Sequence, residues 1–151
     1  MKTAIILDSE FNSTHPIEDV LNRRGFVVLR AGTTEETIEL LTTVGASVDL
    51  VIVEAPLSGS TSQTEAAVRI HRSSPESPIL LVSDLCLDRW SGDDFLQFGQ
   101  LLSGRVDLLV KPLSQASFMS KAHALIYASS YADSKRLFEG AIVRRQAVAP
   151  V

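Results

Sequence analysis

The sequence has only one cysteine, Cys86, and no apolar run near the roughly 18 residues that a membrane-spanning helix needs. A single cysteine excludes an internal disulfide, which suits a reducing compartment. Met1 and Lys2 lead directly into strand-like sequence, so we see no signal peptide and expect a cytoplasmic protein. The net charge of −4 disfavours nucleic acid as a direct partner, and we expect no contact with a membrane either.

Several common catalytic and ligand-binding patterns are also missing. The histidines His15, His71 and His123 are scattered, form no metal or triad pattern, and are interpreted as surface residues. Cys86 has no neighbouring His or Cys at ligand spacing, which indicates a small buried or half-buried residue rather than a nucleophile. The loop from Ser58 to Ser62 lacks the Gly-Lys-Ser/Thr ending of a phosphate-binding loop and is interpreted as a flexible loop.

The most informative stretch is VDLVIVEAPLSG, from Val48 to Gly59. Its run from Leu50 to Glu54 has four consecutive apolar residues and ends on a carboxylate, before a Pro and a Gly break the chain. Such a run is typical of a strand that is buried on both faces of a parallel sheet. With 151 residues and 45% hydrophobic content, one soluble domain with a substantial core is expected.

Apolar runs alternate with helical patterns along the chain. Strands are predicted at Thr3–Leu7, Phe26–Leu29, Leu50–Glu54, Pro78–Ser83 and Val106–Val110. Helices are predicted from Thr14 or Pro16 to Gly25, from Thr33 or Thr34 to Gly45, around Ala66–Ile70, from about Gly92, and after Ser114. This alternation predicts an α/β fold in which a five-stranded parallel sheet is doubly wound in the flavodoxin-like order 2-1-3-4-5.

Polar side chains follow four of the five strands and should meet at one edge of the sheet. Asp8 and Ser9 follow strand one, Glu54 ends strand three, Ser83 ends strand four, and Lys111 follows strand five. Open parallel sheets place their sites at the carboxyl ends of the strands. We therefore predict an acidic pocket formed by these five residues; Glu10 and Asp84 lie beside it in the sequence.

In their order and spacing these residues resemble the receiver domains of two-component response regulators. The resemblance covers roughly Lys2 to Ile126 and includes Asp8, Ser83 and the Lys111-Pro112 pair. It implies a flavodoxin-like receiver fold and a role in phosphorelay signalling. It also implies that two acids after strand one and the strand-three residue hold magnesium, that the strand-three residue accepts the phosphoryl group, and that the hydroxyl and the lysine contact that group.

Three residues depart from the receiver pattern. Ser9 replaces the second acid, Glu54 replaces the phosphate-accepting Asp, and Leu108 replaces an aromatic residue in strand five. Magnesium prefers hard oxygen ligands in near-octahedral geometry, so a site on Asp8 and Glu54 should be weak or lost, and we expect no required cofactor. One extra methylene moves the carboxylate by roughly 1.5 Å, and a misplacement of about 1 Å can cost about a hundredfold in rate.

The predicted function is therefore a pseudo-receiver. It would not be an enzyme; it would bind a signalling protein, such as a histidine kinase or a transcription factor, without phosphorylation at Glu54. One alternative is a weakly phosphorylatable receiver that accepts on Asp8. Another is a small-ligand flavodoxin-like domain, although the residues from Asp8 to Asn12 include no glycine for a flavin phosphate, and the Asp-x-His-x-x-Gly pattern of cobalamin domains is absent.

The remaining expectations concern surface, core and tail. Glu10, Asp49 and Asp107 are interpreted as ordinary surface acids, and Trp90 with the phenylalanines of helix four as core. Residues 1–126 would form the receiver-like domain, and residues 127–151 a helical extension or tail. The tail carries an apolar stripe at near-helical spacing, formed by Leu137, Phe138, Ile142 and Val143. This stripe suggests a homodimer or packing back on the domain; the helix-four/helix-five face is another candidate dimer surface.

Overall fold

A computed structural model describes residues 2–9, 16–44, 47–54, 62–101 and 105–127. The strands are β1 (Lys2–Leu7), β2 (Phe26–Ala31), β3 (Leu50–Glu54), β4 (Ile79–Ser83) and β5 (Val106–Val110). The helices are α1 (Pro16–Arg23), α2 (Thr34–Val44), α3 (Gln63–Ser73), α4 (Gly92–Gln100) and α5 (Gln115–Tyr127). All strand pairs are parallel and the order is β2-β1-β3-β4-β5, which confirms the predicted architecture.

Successive residues of each strand point to opposite faces, and this alternation produces two separate cores. Val51, Val53 and Leu81 belong to the core shared with α2, α3 and α4. Ile52 and Leu80 belong to the core on the other face, with α1 and α5. The sheet is thus covered on both sides, which explains why its central strands are almost entirely apolar.

Side-chain caps and one glycine set the helix boundaries. Thr33 Oγ1 accepts from Glu36 N at 3.1 Å, while a Glu36 carboxylate oxygen accepts from Gly32 N at 2.9 Å. Serine hydroxyls begin the next three helices by accepting from the backbone N–H three residues on: Ser62 at α3, Ser91 at α4 and Ser114 at α5. Gly25 follows α1 at φ +83°, which confirms the predicted stop. The cap at Ser114 is also confirmed.

The aromatic residues around α4 are core residues, as predicted. Trp90 and Phe98 are buried and meet edge to face, with their ring centroids 5.5 Å apart. The Trp90 indole N–H donates to Leu85 O at 2.8 Å, which satisfies its only polar atom. Leu96, on the same helix, is 66% exposed and is the most exposed of the large apolar side chains in the described part of the chain.

The interpretation of Asp107 as a surface acid is wrong. Its side chain is 1% exposed and lies under α5, where both carboxylate oxygens are 3.2 Å from Lys121 Nζ. One of these oxygens also accepts from Leu108 N at 2.7 Å. A carboxylate can be buried in this way because a cation and an N–H replace the water that it loses. Asp49 is half-buried and structural: it accepts from Thr3 N at 2.8 Å.

Side-chain contacts join the C-terminal end of α5 to the edge of the sheet at which the strands begin. Arg105, just before β5, donates to the carbonyls of Leu125 and Ile126 in the last turn of the helix. The ammonium of Lys2 lies 4.7 Å from the centre of the Tyr127 ring. These contacts hold the helix end at the edge of the sheet opposite Glu54.

Some predictions fall on residues that the structure does not describe. These are Glu10, His15, Gly45, the loop residues 58–61, and residues 128–151 with the proposed tail. Cys86 is half-buried, as predicted. Within the described part of the chain, no helix combines the length and the apolar character needed to cross a bilayer.

Candidate functional site

The candidate site centres on an ion pair between Lys111 and Glu54. Glu54 is the last residue of β3, and Lys111 directly follows β5. Lys111 Nζ lies 3.1 Å from Glu54 Oε1, and the side chains are 33% and 14% exposed, respectively. The structure therefore brings together two of the residues that the sequence placed in one pocket.

A second carboxylate, on Asp84, lies near the same ammonium. Asp84 Oδ1 is 3.6 Å from Lys111 Nζ, and the Asp84 side chain is 54% exposed. The sequence places Asp84 with Ser83 among the residues expected to converge at this edge, although not among the five assigned to the pocket. One cation thus lies between a nearly buried carboxylate and a largely exposed one, and the buried contact is the shorter.

The surroundings of Lys111 act on its pKa in two directions. Partial burial lowers the pKa, because the charged form loses water. The hydrogen bond and the charge of Glu54, and then those of Asp84, raise it and outweigh the burial. The net result is a pKa above the ordinary lysine value, so Lys111 is a cation at neutral pH.

Ser83 connects to Lys111 through its backbone. The Ser83 carbonyl accepts from Lys111 N at 2.9 Å, which carries β4–β5 pairing past the end of the strand. The buried Ser83 hydroxyl accepts from Leu85 N at 3.2 Å and so shapes the turn after β4. The peptide bond between Lys111 and Pro112 is cis.

Asp8 and Ser9 follow β1 and lie at the same edge of the sheet as Glu54. Asp8 N donates to Ala31 O at 3.0 Å, which extends the β1–β2 pairing by one residue. Both side chains are half-buried. Asp8 and Ser9 therefore lie at the edge of the sheet where the sequence predicts the pocket.

The described residues of this edge contain no group of three or more His, Cys, Asp or Glu side chains placed to share a metal ion. The Glu54 carboxylate already contacts an ammonium at 3.1 Å, and a second cation beside it would be repelled. Magnesium takes oxygen ligands in octahedral geometry. Because position 9 is a serine and not an acid, this edge offers one charged ligand fewer than the receiver pattern.

Gln63 is a residue of this edge that sequence reasoning missed. From the first position of α3, its side-chain Nε2 donates to Val53 O at 2.7 Å and to Val82 O at 2.9 Å. These carbonyls immediately precede Glu54 and Ser83 in the chain. The sequence carries no signal for such bonds, because their acceptors are backbone atoms that every residue has.

The thiol of Cys86 is not an activated nucleophile. Cys86 lies on the turn after β4, and a side-chain hydrogen bond to Asp88, followed by partial burial and the Asp88 charge, raises its pKa above the ordinary thiol value. Thiolate is the reactive form, and a raised pKa keeps the residue as a thiol. Glu54, for its part, is held in an ion pair. The arrangement is thus better suited to holding charges in place than to attacking a substrate.

No protein-family model matches this sequence, and no curated protein sequence matches it. Solved structures do share its fold. A receiver domain protein from Clostridium thermocellum is 17% identical, with a TM-score of 0.67 over 84% of this chain and 95% of that one. A two-component response regulator from Clostridium difficile is 19% identical, with a TM-score of 0.65 over 84% and 97%. Chemotaxis protein CheY4 of Vibrio cholerae is 15% identical, with a TM-score of 0.65 over 83% and 98%. The chain thus has the receiver-domain fold.

Proposed function

We propose that this protein is a receiver-like module of two-component signalling that works by binding a protein partner and is not phosphorylated at Glu54. The observation that carries the proposal is the 3.1 Å contact between Glu54 and Lys111. The receiver resemblance assigns these two positions to the phosphate acceptor and to the lysine that contacts the phosphoryl group. In this chain the Glu54 carboxylate itself contacts the Lys111 ammonium.

Two physical arguments favour a binding role over phosphoryl transfer. Transfer depends on in-line positioning and on neutralisation of charge by metal ions, and the described residues of this edge contain no cluster of three or more metal-ligating side chains. A carboxylate paired with an ammonium also donates electrons poorly to phosphorus. The permanent negative charge of Glu54 would instead hold Lys111, and the turns after β4 and β5, in one arrangement. A signalling protein such as a histidine kinase or a transcription factor would recognise that arrangement.

The test is to incubate the protein with acetyl phosphate and magnesium and to measure its intact mass. We expect no mass change, while a conventional receiver domain treated in parallel gains one phosphate. A gain of one phosphate mapped to Glu54 or Asp8 would refute the proposal. The Asp8 outcome would favour the alternative of a weakly phosphorylatable receiver.

A small-ligand function has less support. The described residues include a cavity of about 60 Å³ between α1 and α5, lined largely by apolar side chains that include Ile17, Val20 and Phe118. Pockets for cofactor-sized ligands have volumes of roughly 300–1,000 Å³. This cavity is therefore too small for a flavin, and neither Glu54 nor Lys111 lines it.

A further inference from the structure

The first turn of α3 contacts both the candidate site and α4. Gln63 points to the sheet, where its single amide nitrogen donates to Val53 O and Val82 O. A side-chain amide nitrogen carries two protons, so both are used. Because these carbonyls belong to neighbouring strands, Gln63 fixes the end of β3 relative to the end of β4. Any shift of Glu54 along or out of the sheet must therefore strain this bridge.

The next residue, Thr64, makes the contact to α4. Its side chain is 1% exposed, and its hydroxyl oxygen lies 2.7 Å from Asp94 Oδ1 and 3.0 Å from Gln97 Oε1. A hydroxyl has one proton, and a carboxylate is the stronger acceptor, so the bond to Asp94 is the firmer one. Consecutive helical residues point about 100° apart, which lets Gln63 face the sheet while Thr64 faces α4.

This turn is also held firmly in place. The Ser62 hydroxyl accepts from Glu65 N at 3.1 Å and caps the helix, and it lies 3.2 Å from the Thr64 hydroxyl. The cap satisfies one of the backbone donors that a helix start leaves open and fixes the turn to Ser62. Because Gln63 and Thr64 are consecutive residues of this turn, a displacement of Gln63 would also displace Thr64.

The geometry points to the first turn of α3 as a mechanical coupling between the Glu54–Lys111 pair and α4, through Gln63 on one side and Thr64 on the other. This inference rests on the proposed function, because the ion pair that holds the strand ends in one arrangement would then also hold α4. The surface it would control is the outer side of α4, where Leu96 is 66% exposed while Phe95 and Phe98 are buried.

Two other hydrogen bonds at this edge stay near the strand ends. The Ser83 hydroxyl bonds to Leu85 N within its own turn, and the Ser83 carbonyl bonds to Lys111 N. Leu108, which faces the core below α4, has an apolar side chain that cannot join a hydrogen-bond chain. The route through α3 leads from the strand ends to α4 by side-chain hydrogen bonds. The turn after β4 also contacts Trp90, just ahead of α4, through the bond from Trp90 Nε1 to Leu85 O.

The experiment perturbs the ion pair and reads out α4 by two-dimensional ¹H–¹⁵N NMR. Glu54→Gln is introduced into the parent protein and into a Thr64→Val variant, which keeps the shape but loses the hydroxyl. In the parent, Glu54→Gln should shift the amide resonances from Asp93 to Gln100. In the Thr64→Val background the same substitution should shift them by only a small fraction of that amount. Lys111→Met serves as a second perturbation of the pair.

Three further variants make the outcome decisive. Gln63→Met removes the donors from the other end of the coupling and should reduce the α4 response as Thr64→Val does. Thr64→Ser keeps a hydroxyl and should restore it. Thr37→Val is the matched control, because Thr37 is a fully buried threonine of α2 whose hydroxyl bonds to Thr33 O; it should leave the response intact.

Two results would overturn the coupling. One is a parent protein whose α4 resonances do not respond to either perturbation, and the other is a response that survives in both Thr64→Val and Gln63→Met. Neither result bears on the acetyl phosphate experiment, which would still test the proposed function. Conversely, a phosphate gained on Glu54 would refute that function and leave the NMR result standing.

Discussion

Lys111 and Glu54 form their ion pair across a strand, because β4 lies between β3 and β5 and the Lys111 ammonium still comes within 3.1 Å of the Glu54 carboxylate. Neighbouring strands lie about 4.8 Å apart, so the pair bridges roughly 10 Å of sheet at the backbone. The long lysine side chain covers most of that distance. The contact therefore joins three strand ends, with Asp84 of the middle turn 3.6 Å from the same ammonium.

The ion pair should make stability depend on pH on the alkaline side. The pKa of Lys111 in the folded state is raised above its ordinary value of 10.5, so folding favours the protonated form. The contribution is fully present below pH 10.5 and is lost as the pH rises through the folded-state pKa. We expect urea unfolding to show the parent more stable than Lys111→Met by under about 1 kcal/mol near neutral pH, because the pair is partly exposed.

That stability difference should shrink as the pH rises beyond the raised pKa. Ionisations that are common to both proteins cancel in this comparison. A difference that stays constant from neutral to strongly alkaline pH would mean that Lys111 acts by packing and not by its charge.

The buried ion pair under α5 should matter more to stability than exposed ones. Lys121→Met would leave the Asp107 carboxylate, at 1% exposure, without its cation. We expect a loss of about 2 kcal/mol of unfolding free energy by urea denaturation, somewhat below the range for a fully buried pair because Lys121 is half-buried. Arg69→Met, which breaks the exposed 2.8 Å pair with Glu35, is the control and should change the unfolding free energy far less. Equal losses in the two variants would contradict the assignment of Asp107 to the interior.

Gly25 and Gly92 form a matched pair for testing backbone conformation. Gly25 has φ +83°, and neither glycine has a neighbour within 4 Å of where a Cβ would lie. Gly25→Ala should destabilise the protein by about 1 kcal/mol, because a residue with a Cβ is strained in the left-handed backbone conformation, while no neighbouring atom crowds the added methyl group. Gly92→Ala, in the first turn of α4, should stay within about 0.5 kcal/mol of the parent in thermal unfolding. The prediction fails if the two substitutions have the same effect.

The strands and their order could be predicted because each strand has its own apolar run in the sequence, and these runs recur at regular intervals along the chain. Five apolar runs end at polar residues, and the strand from Leu50 to Glu54 has the predicted boundaries. Ends that depend on tertiary contacts are harder to predict: β2 continues to Ala31, two residues past its predicted end, and α3 begins at Gln63, ahead of the apolar positions that indicate the helix. The cap that sets this start is Ser62, which the sequence assigns to a flexible loop.

The errors and omissions share one physical origin, which is contact between residues far apart in sequence. Asp107 looks like a surface acid until Lys121, 14 positions away, is brought over it by α5. Gln63 bonds to the carbonyls of residues 53 and 82, whose identities cannot signal the contact. That Glu54 and Lys111 share one pocket could be predicted, because the alternation of strands and helices gives an order that places β3 and β5 on either side of β4.

The contact of the Lys2 ammonium with the Tyr127 ring has a practical consequence for labelling. A fluorophore or affinity tag attached ahead of Lys2 would lie at the opposite end of β1 from Asp8. At about 3.3 Å per residue, the strand keeps such a label roughly 17 Å from the ion-paired edge. An amine-reactive dye on Lys2 itself would cancel the charge that faces the aromatic ring, so a cysteine-directed dye on an added N-terminal cysteine, with Cys86 replaced by serine, is the better design.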